Sequence, residues 1–189
     1  MGKNHIKSTL LLMFLISCLG ISSAQDVETD LSEFQISFIS KHDGNTDIYV
    51  MDVDGSNETL LSSLGDDTRN PRWSPDGRQL AYVADDMGNA EIYVVDIDCK
   101  QITTDCIQRP LNIAQTSSDD AEPSWSPDGS RIAFRSGNEN LIWNIFIYEF
   151  EASHLSQLDS EFNDFTPSWS PDGTQIAIQT LRDDNWEIY

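Results

Sequence analysis

The chain has 189 residues, of which 11 are basic and 32 acidic, and its formal net charge is −21 at pH 7. A protein this acidic is repelled by phosphate backbones and by anionic lipid head groups, so the composition argues against nucleic-acid binding and against binding to a membrane surface. Hydrophobic residues make up 39% of the sequence, enough for a folded core. The charge is compatible with cationic ligands, metal ions or basic protein partners.

The first 24 residues have the pattern of a signal peptide. Two lysines precede an apolar run at residues 10–21, and small residues lead up to Ala24. The run is too short to cross a bilayer comfortably, so we predict no membrane span, cleavage after Ala24 and export to the periplasm or the cell exterior. The residues before Cys18 also fit a lipoprotein signal, in which Cys18 would carry the lipid. In the first case residues 25–34 form a short linker.

Residues 35–68 predict three β-strands. Turn-forming residues at 43–45 separate the first strand from the apolar stretch Ile48-Tyr49-Val50, and a weaker strand follows near Leu60. Between the last two strands, Asp52-Val53-Asp54-Gly55 resembles the beginning of a calcium loop, but the third acid and the distal Glu of such a loop are missing. We therefore predict no metal site in this segment.

Residues 69–120 predict four strands and contain a distinctive motif, Asn70-Pro71-Arg72-Trp73-Ser74-Pro75-Asp76-Gly77. Its last four residues fit a type I turn, because Pro presets φ at the second position and Gly suits the fourth. The strands that follow, at 79–83 and 92–95, are apolar at consecutive positions. We therefore expect both of their faces to be covered by neighbouring sheets.

The same motif returns at residues 122–129 and 166–173, and the three tryptophans are 52 and 44 residues apart. Three copies at nearly constant spacing indicate an internal repeat. Residues 121–165 predict a second complete four-stranded unit, and residues 166–189 predict three strands of another. Units of this length with four strands each are typical of the blades of a β-propeller.

These units resemble the repeats of the TolB-type β-propeller proteins, in which Pro-x-Trp-Ser-Pro-Asp-Gly precedes an apolar strand and then Glu/Asp-Ile-Tyr-Val. The resemblance implies an all-β propeller of four-stranded antiparallel blades, with about three and a half blades in residues 35–189. The blades would be 35–68 (partial), 69–120, 121–165 and 166–189 (partial). The residues that we expect to have a structural role in the repeat are Trp73, Asp76, Gly77, Trp125, Asp128, Gly129, Trp169, Asp172 and Gly173.

Two features differ from the family pattern. The amino-terminal α/β domain that precedes the propeller in TolB has no counterpart in these residues, and the ring is incomplete, since TolB-like propellers commonly have six blades. An open sheet edge after Tyr189 would favour aggregation. We therefore expect either a fragment of a longer protein or self-association of copies that completes the ring.

Carboxylates cluster at the end of the predicted blades where the second turn of each blade and the crossing to the next blade meet. We call this the acidic end, and its residues are Asp66, Asp67, Asp85, Asp86, Asp119, Asp120, Asp164, Asp183 and Asp184. One interpretation is a docking face for a basic partner, or a Ca²⁺ site. The other is a set of solvated turn residues that keep the protein soluble. Trp143 and Trp186 lie near the same turns, where they would either bind a sugar or peptide or cap a blade.

The sequence contains no catalytic motif that we recognise: it has no Gly-x-Ser-x-Gly, no His-Glu-x-x-His and no phosphate-binding glycine loop. We expect His42 and His154 to be loop residues, and we predict neither a metal nor a cofactor. Cys99 and Cys106 lie in a polar loop, and in an oxidising compartment we predict a disulfide between them.

Two functions follow from these observations. The resemblance to TolB implies a non-enzymatic exported propeller that serves as a platform for protein–protein interactions. Alternatively, similar repeats precede the catalytic domain in prolyl-oligopeptidase-like serine hydrolases, so the chain would be the propeller part of a longer exported enzyme whose catalytic domain lies outside these residues.

Overall fold

A computed structural model describes residues 34–42, 44–61, 67–86, 88–97, 110–137, 142–158, 160–182 and 185–189. The predicted signal peptide and the predicted disulfide lie outside these ranges. All regular secondary structure in the described residues is β-strand, which confirms the all-β prediction.

The strands form four antiparallel sheets, and within each sheet the strands are hydrogen-bonded in chain order. The first sheet contains β1 (Gln35–His42), β2 (Asn45–Asp52) and β3 (Thr59–Leu60). The second contains β4 (Thr68–Trp73), β5 (Gln79–Asp86), β6 (Asn89–Asp96) and β7 (Leu111–Asn112). The third contains β8 (Asp120–Trp125), β9 (Arg131–Gly137), β10 (Trp143–Glu149) and β11 (His154–Gln157). The fourth contains β12 (Asn163–Trp169), β13 (Ile176–Arg182) and β14 (Asn185–Ile188). The described sheets form an open series of propeller blades, as predicted. His42 and His154 lie at strand ends, not in loops as expected.

The Ser-Pro-Asp-Gly segments form the predicted turns. In each, the main-chain N–H of the Gly donates to the carbonyl oxygen of the Ser at 2.9 Å, which closes a four-residue turn. The Gly residues have φ of +71° at Gly77, +72° at Gly129 and +68° at Gly173. Glycine suits this position because a Cβ atom clashes with the main chain in the left-handed region.

The core lies between successive sheets. Leu80 and Tyr82 of β5 pack with Ile48 of the first sheet, whereas Ala81 and Val83 pack toward the third sheet. Strand β5 is therefore covered on both faces, as its unbroken apolar sequence predicted. Each large side chain that is fully buried in this way stabilises the fold by about 1.5–3 kcal/mol.

The first strand of each Trp-bearing sheet is interrupted by a bulge just before its proline. The pairing register shifts between Arg69 and Arg72 in β4, and at the matching places in β8 and β12. The residue inside each bulge has a positive φ: +54° at Asn70, +59° at Glu122 and +46° at Thr166. The bulge bends these strands at a constant position, so the tryptophan that follows has the same placement in every sheet.

Candidate functional site

The Asp residues of the Ser-Pro-Asp-Gly turns stabilise the turns themselves. Oδ1 of Asp128 accepts hydrogen bonds from the Ser126 hydroxyl at 2.6 Å and from the Ser130 main-chain N–H at 3.0 Å. Asp76 and Asp172 have the same two interactions in their own turns. These hydrogen bonds, the serine hydroxyl first, lower the pKa of all three carboxyls, to about 2 for Asp128 and Asp172. We call this the turn end of the sheets.

The acidic end lies opposite the turn end. Asp67 and Asp119 are exposed there, and Asp85 is half-buried. Hydrogen bonds connect all three to the second sheet. The main-chain N–H of Asp85 donates to the Asp67 carbonyl oxygen at 3.3 Å. Oδ1 of Asp119 accepts from the Ala90 N–H at 3.0 Å, and Oδ1 of Asp85 accepts from the Gly88 N–H at 2.8 Å. One oxygen of each of these two carboxylates therefore supports the local backbone.

Asp120 and Asp164, in contrast, are not on the surface. Asp120 is fully buried and Asp164 is 1% exposed. Each occupies a position in the first strand of its sheet where the side chain points between sheets, so neither carboxylate is available to a docking partner. Asp66, Asp183 and Asp184 lie outside the described residues, as does the side chain of Asp86.

The tryptophans of the repeat join neighbouring sheets. Nε1 of Trp125 donates to the carbonyl oxygen of Arg72 at 3.0 Å, and Nε1 of Trp169 donates to that of Ser124 at 3.1 Å. Trp73 packs against the core between the first and second sheets. These contacts make the three tryptophans packing residues of the repeat; Trp125 is buried, and Trp73 and Trp169 are half-buried.

An aromatic cluster lies beside the acidic end. The Phe165 ring is 6.4 Å from that of Trp143 and 5.2 Å from that of Trp186, which is 51% exposed. The guanidinium of Arg135 stacks 4.3 Å above Trp143 and forms an ion pair with Glu122 at 3.3 Å. Sequence reasoning missed Phe165 and Arg135. The aromatic side chain at 165, where the preceding repeat has Ala121, was the available signal.

A cavity of about 400 Å³ opens nearby, between the third and fourth sheets. Its lining includes Leu158, Phe162, Asp164 and Arg182. The Arg182 guanidinium lies 4.6 Å from the Phe162 ring centroid and 3.8 Å from that of Tyr189. The aromatic rings and arginines at this end are residue types that are enriched at protein interfaces.

The described residues include no cluster of three or more His, Cys, Asp or Glu side chains that could hold a metal ion. In the loop that resembles a calcium loop, the acids bind their own chain: Asn57 Nδ2 donates to Asp52 at 2.6 Å and the Ser56 N–H to Asp54 at 2.9 Å. Ser56 also lowers the pKa of Asp54. Within the described ranges, no helix is both long and apolar enough to cross a membrane.

Comparison with known proteins gives a family and a fold. A family model described as the TolB beta propeller domain matches residues 32–189. No curated protein gave a significant match to the sequence.

Several solved structures are similar to the chain. TolB from Acinetobacter baumannii superimposes with a TM-score of 0.66 at 21% identity, over 85% of this chain and 39% of that one. A putative TolB from Agrobacterium tumefaciens gives 0.62 at 22% identity, over 81% and 52%. A puromycin-hydrolyzing peptidase from Mycobacterium tuberculosis gives 0.61 at 15% identity, over 82% and 27%. The chain spans about half the length of these proteins or less, and at these identities the likeness shows the fold alone.

Proposed function

Because the chain belongs to the TolB beta propeller domain family, we propose that it is an exported, non-enzymatic propeller that binds a basic protein partner through the acidic end. The observation that carries this proposal is the exposure of Asp67 and Asp119 on loops fixed by rigid sheets. Rigid sheets hold these carboxylates in place before a partner arrives, so little ordering is required on binding.

The ion pair that Asp67 already forms at this end is weak enough for a partner's arginine to compete for the carboxylate. Asp67 pairs with Arg69 at 3.4 Å, and the two side chains are 56% and 37% exposed. Exposed pairs of this kind contribute about 0–1 kcal/mol. An arginine of a partner can therefore replace Arg69 at little expense.

The aromatic cluster supports the same partner chemistry. Trp186 is half-exposed on the fourth sheet, where its ring contacts Phe165 at the same end of the blades. Arginine stacks favourably on indole rings, and Trp and Arg are enriched among residues that dominate binding energy. An Arg-rich surface would find both charge and ring partners at the acidic end.

The test is the binding of a fluorescein-labelled peptide of alternating Arg and Ser, followed by fluorescence anisotropy. We expect the affinity to fall several-fold between low salt and about 0.15 M salt, where the Debye length is roughly 8 Å. The double variant Asp67→Asn/Asp119→Asn should weaken binding at low salt. The amide that replaces the Asp119 carboxylate keeps an oxygen for the Ala90 N–H, so the local backbone remains supported.

The matched control is Glu149→Gln/Glu151→Gln. These two acids are exposed at the turn end, so the control removes the same charge from the other end. If both double variants weakened binding equally, attraction to the net charge alone would account for it and the proposed face would be wrong.

Export rests on residues 1–24 and has its own test. Expression in a bacterium followed by mass spectrometry of the envelope fraction should give a mature chain that starts at Gln25. A lipid-modified Cys18 at the N-terminus would replace the free exported form with a membrane-anchored one. A full-length chain that stays in the cytoplasm would contradict export.

The likeness to the puromycin-hydrolyzing peptidase favours a second candidate, the propeller part of a longer exported serine hydrolase. In such an enzyme, these blades would control access to a catalytic domain. Sequencing the gene beyond the Tyr189 codon distinguishes the two functions. A Gly-x-Ser-x-Gly nucleophile in the same reading frame would support the hydrolase, and further Trp-Ser-Pro-Asp-Gly units alone would support the binding platform.

A further inference from the structure

Two acids meet in the core between the second and third sheets. Glu91 on β6 is 6% exposed and Asp120 on β8 is fully buried. Both belong to one buried network, because Asn89 Nδ2 donates to Glu91 and to the Thr116 carbonyl oxygen, and the Thr116 hydroxyl contacts Asp120, so the two carboxyl groups lie close enough to interact. A carboxylate only accepts hydrogen bonds, so a bond between two carboxyl groups requires that one of them carry a proton.

The equivalent positions at the other two junctions hold one acid each. The strand pairing places Asp47 and Thr68 at the junction of the first and second sheets, where Glu91 and Asp120 stand in the next one. At the junction of the third and fourth sheets the pair is Asn144 and Asp164. Only the middle of the three described junctions therefore buries two acids in these positions.

The neighbours of the pair satisfy part of its hydrogen-bonding capacity. Asn89 Nδ2 donates to Oε1 of Glu91 at 2.5 Å, and the Thr116 hydroxyl lies 3.2 Å from both carboxyl oxygens of Asp120. Oε2 of Glu91, however, is buried and receives no hydrogen bond from the other described groups. A proton between the two carboxyl groups satisfies that oxygen, whereas two ionised carboxylates would leave it unpaired and repelled.

The charged groups on the surrounding elements are directed elsewhere. On the crossing between the sheets, Asp119 accepts from the Ala90 N–H, and Asp85 at the end of β5 accepts from Gly88. On β9, Arg135 pairs with Glu122, and on β4, Arg69 pairs with Asp67. The two nearby acids add to the negative potential, and the two arginines are already engaged by other carboxylates.

We propose that Glu91 and Asp120 share one proton in the folded protein, and that this proton joins the second sheet to the third. The stability of the junction between the second and third sheets is therefore expected to depend on pH. This inference concerns the core and stands independently of the proposed binding partner.

The direction of the pH effect follows from the burial. Desolvation, foremost among the causes, raises the pKa of both groups, to about 8 for Asp120. In the unfolded chain an Asp loses its proton near pH 3.8. Between these values the folded protein binds more protons than the unfolded one, so stability falls as the pH rises and is regained on acidification toward pH 5.

Thermal unfolding of the mature chain from pH 5.5 to pH 8.5 tests the proposal. We expect the wild-type midpoint to fall by several degrees over this range. Glu91→Gln keeps the shape and supplies a permanent donor, so it should remove most of the fall and unfold at a higher temperature than the wild type at pH 8.5. Asp47→Asn, at the junction where the equivalent pair is Asp47 and Thr68 and the acid is only half-buried, is the control and should leave the pH dependence of the wild type intact. A Glu91→Gln profile parallel to that of the wild type would overturn the proposal.

Infrared spectroscopy gives a second measurement that needs no stability difference. At pH 6.5 the wild type should show the carbonyl band of a buried protonated carboxyl group, and Glu91→Gln or Asp120→Asn should each change it. Absence of the band would overturn the proposal. Calcium chloride added at pH 8.5 should not change the wild-type midpoint. A rise in the wild type that Glu91→Gln abolishes would mean that the pair binds a metal ion instead of a proton.

Discussion

The indole N–H of Trp169 donates to the main-chain carbonyl oxygen of Ser124, 45 residues earlier and one sheet away, at 3.1 Å. Trp125 makes the equivalent bond to Arg72 at 3.0 Å. The tryptophan of the repeat is thus both a packing residue and a directional hydrogen-bond donor, which explains why an aromatic ring without an N–H would not be equivalent.

Trp125→Phe should destabilise the protein by about 2 kcal/mol. About 1 kcal/mol comes from the hydrogen bond to the Arg72 carbonyl and the rest from lost apolar burial. Urea unfolding measures the change. Trp186→Phe removes the same atoms from a half-exposed ring, and we expect a change within about 0.5 kcal/mol. Equal losses for the two variants would contradict the assigned role of Trp125.

Gly129→Ala should cost about 1–2 kcal/mol, because the residue has a φ of +72°. The new Cβ atom would lie 3.8 Å from Cδ of Pro75, an ordinary contact, so the backbone alone sets the loss. Gly77→Ala is the matched comparison, since its φ is +71° and a Cβ there would meet open space. Equal losses in urea unfolding are expected. A much larger loss at Gly129 would show that the contact with Pro75 matters.

Thr166→Asn should stabilise the protein by about 0.5–1 kcal/mol. Thr166 is β-branched and has a φ of +46°, a region that Asn tolerates better. The main-chain N–H of residue 166 would still donate to Glu122, which it does at 2.8 Å. The reverse exchange, Asn70→Thr at the matching bulge, should destabilise by a similar amount. A lower unfolding temperature for Thr166→Asn, or a higher one for Asn70→Thr, would refute the strain argument.

Asp128 should remain ionised well below the ordinary range of an Asp. Its pKa is lowered to about 2, chiefly by the Ser126 hydroxyl and then by the Ser130 N–H. Its contribution to stability is therefore present above about pH 4 and is lost as the pH falls toward 2. Carbon NMR of the labelled carboxyl group gives the titration directly. Ser126→Ala should move the pKa back toward 3.8, and a wild-type group that already titrates there would contradict the hydrogen-bonding account.

The regular parts of the fold were readable from the sequence because they depend on local chemistry. The turn at Ser126–Gly129 depends only on the four residues that form it. Strand β5, which is covered on both faces, can be recognised from its unbroken apolar run. Because the sequence repeats, recognising one turn was enough to predict the other two.

The candidate site was less readable because burial depends on which way a strand faces. Asp119 and Asp120 are adjacent in sequence, yet the first is exposed and the second is fully buried. Asp119 lies on the crossing before β8, whereas Asp120 is the first residue of β8 and its side chain lies between sheets; the sequence does not reveal where the strand begins or which way it faces. The meeting of Asp120 with Glu91 likewise depends on the spacing between two sheets, which no short motif encodes.

The donor and acceptor of each tryptophan bond also give the repeat a direction. In both described bonds the acceptor carbonyl lies on the earlier strand and the indole on the later one. During synthesis from the N-terminus, a sheet that leaves the ribosome would therefore find its docking point on the preceding sheet already made. Sheets can therefore be added one after another in the order of translation. Each added sheet provides the acceptor carbonyl for the tryptophan of the next sheet.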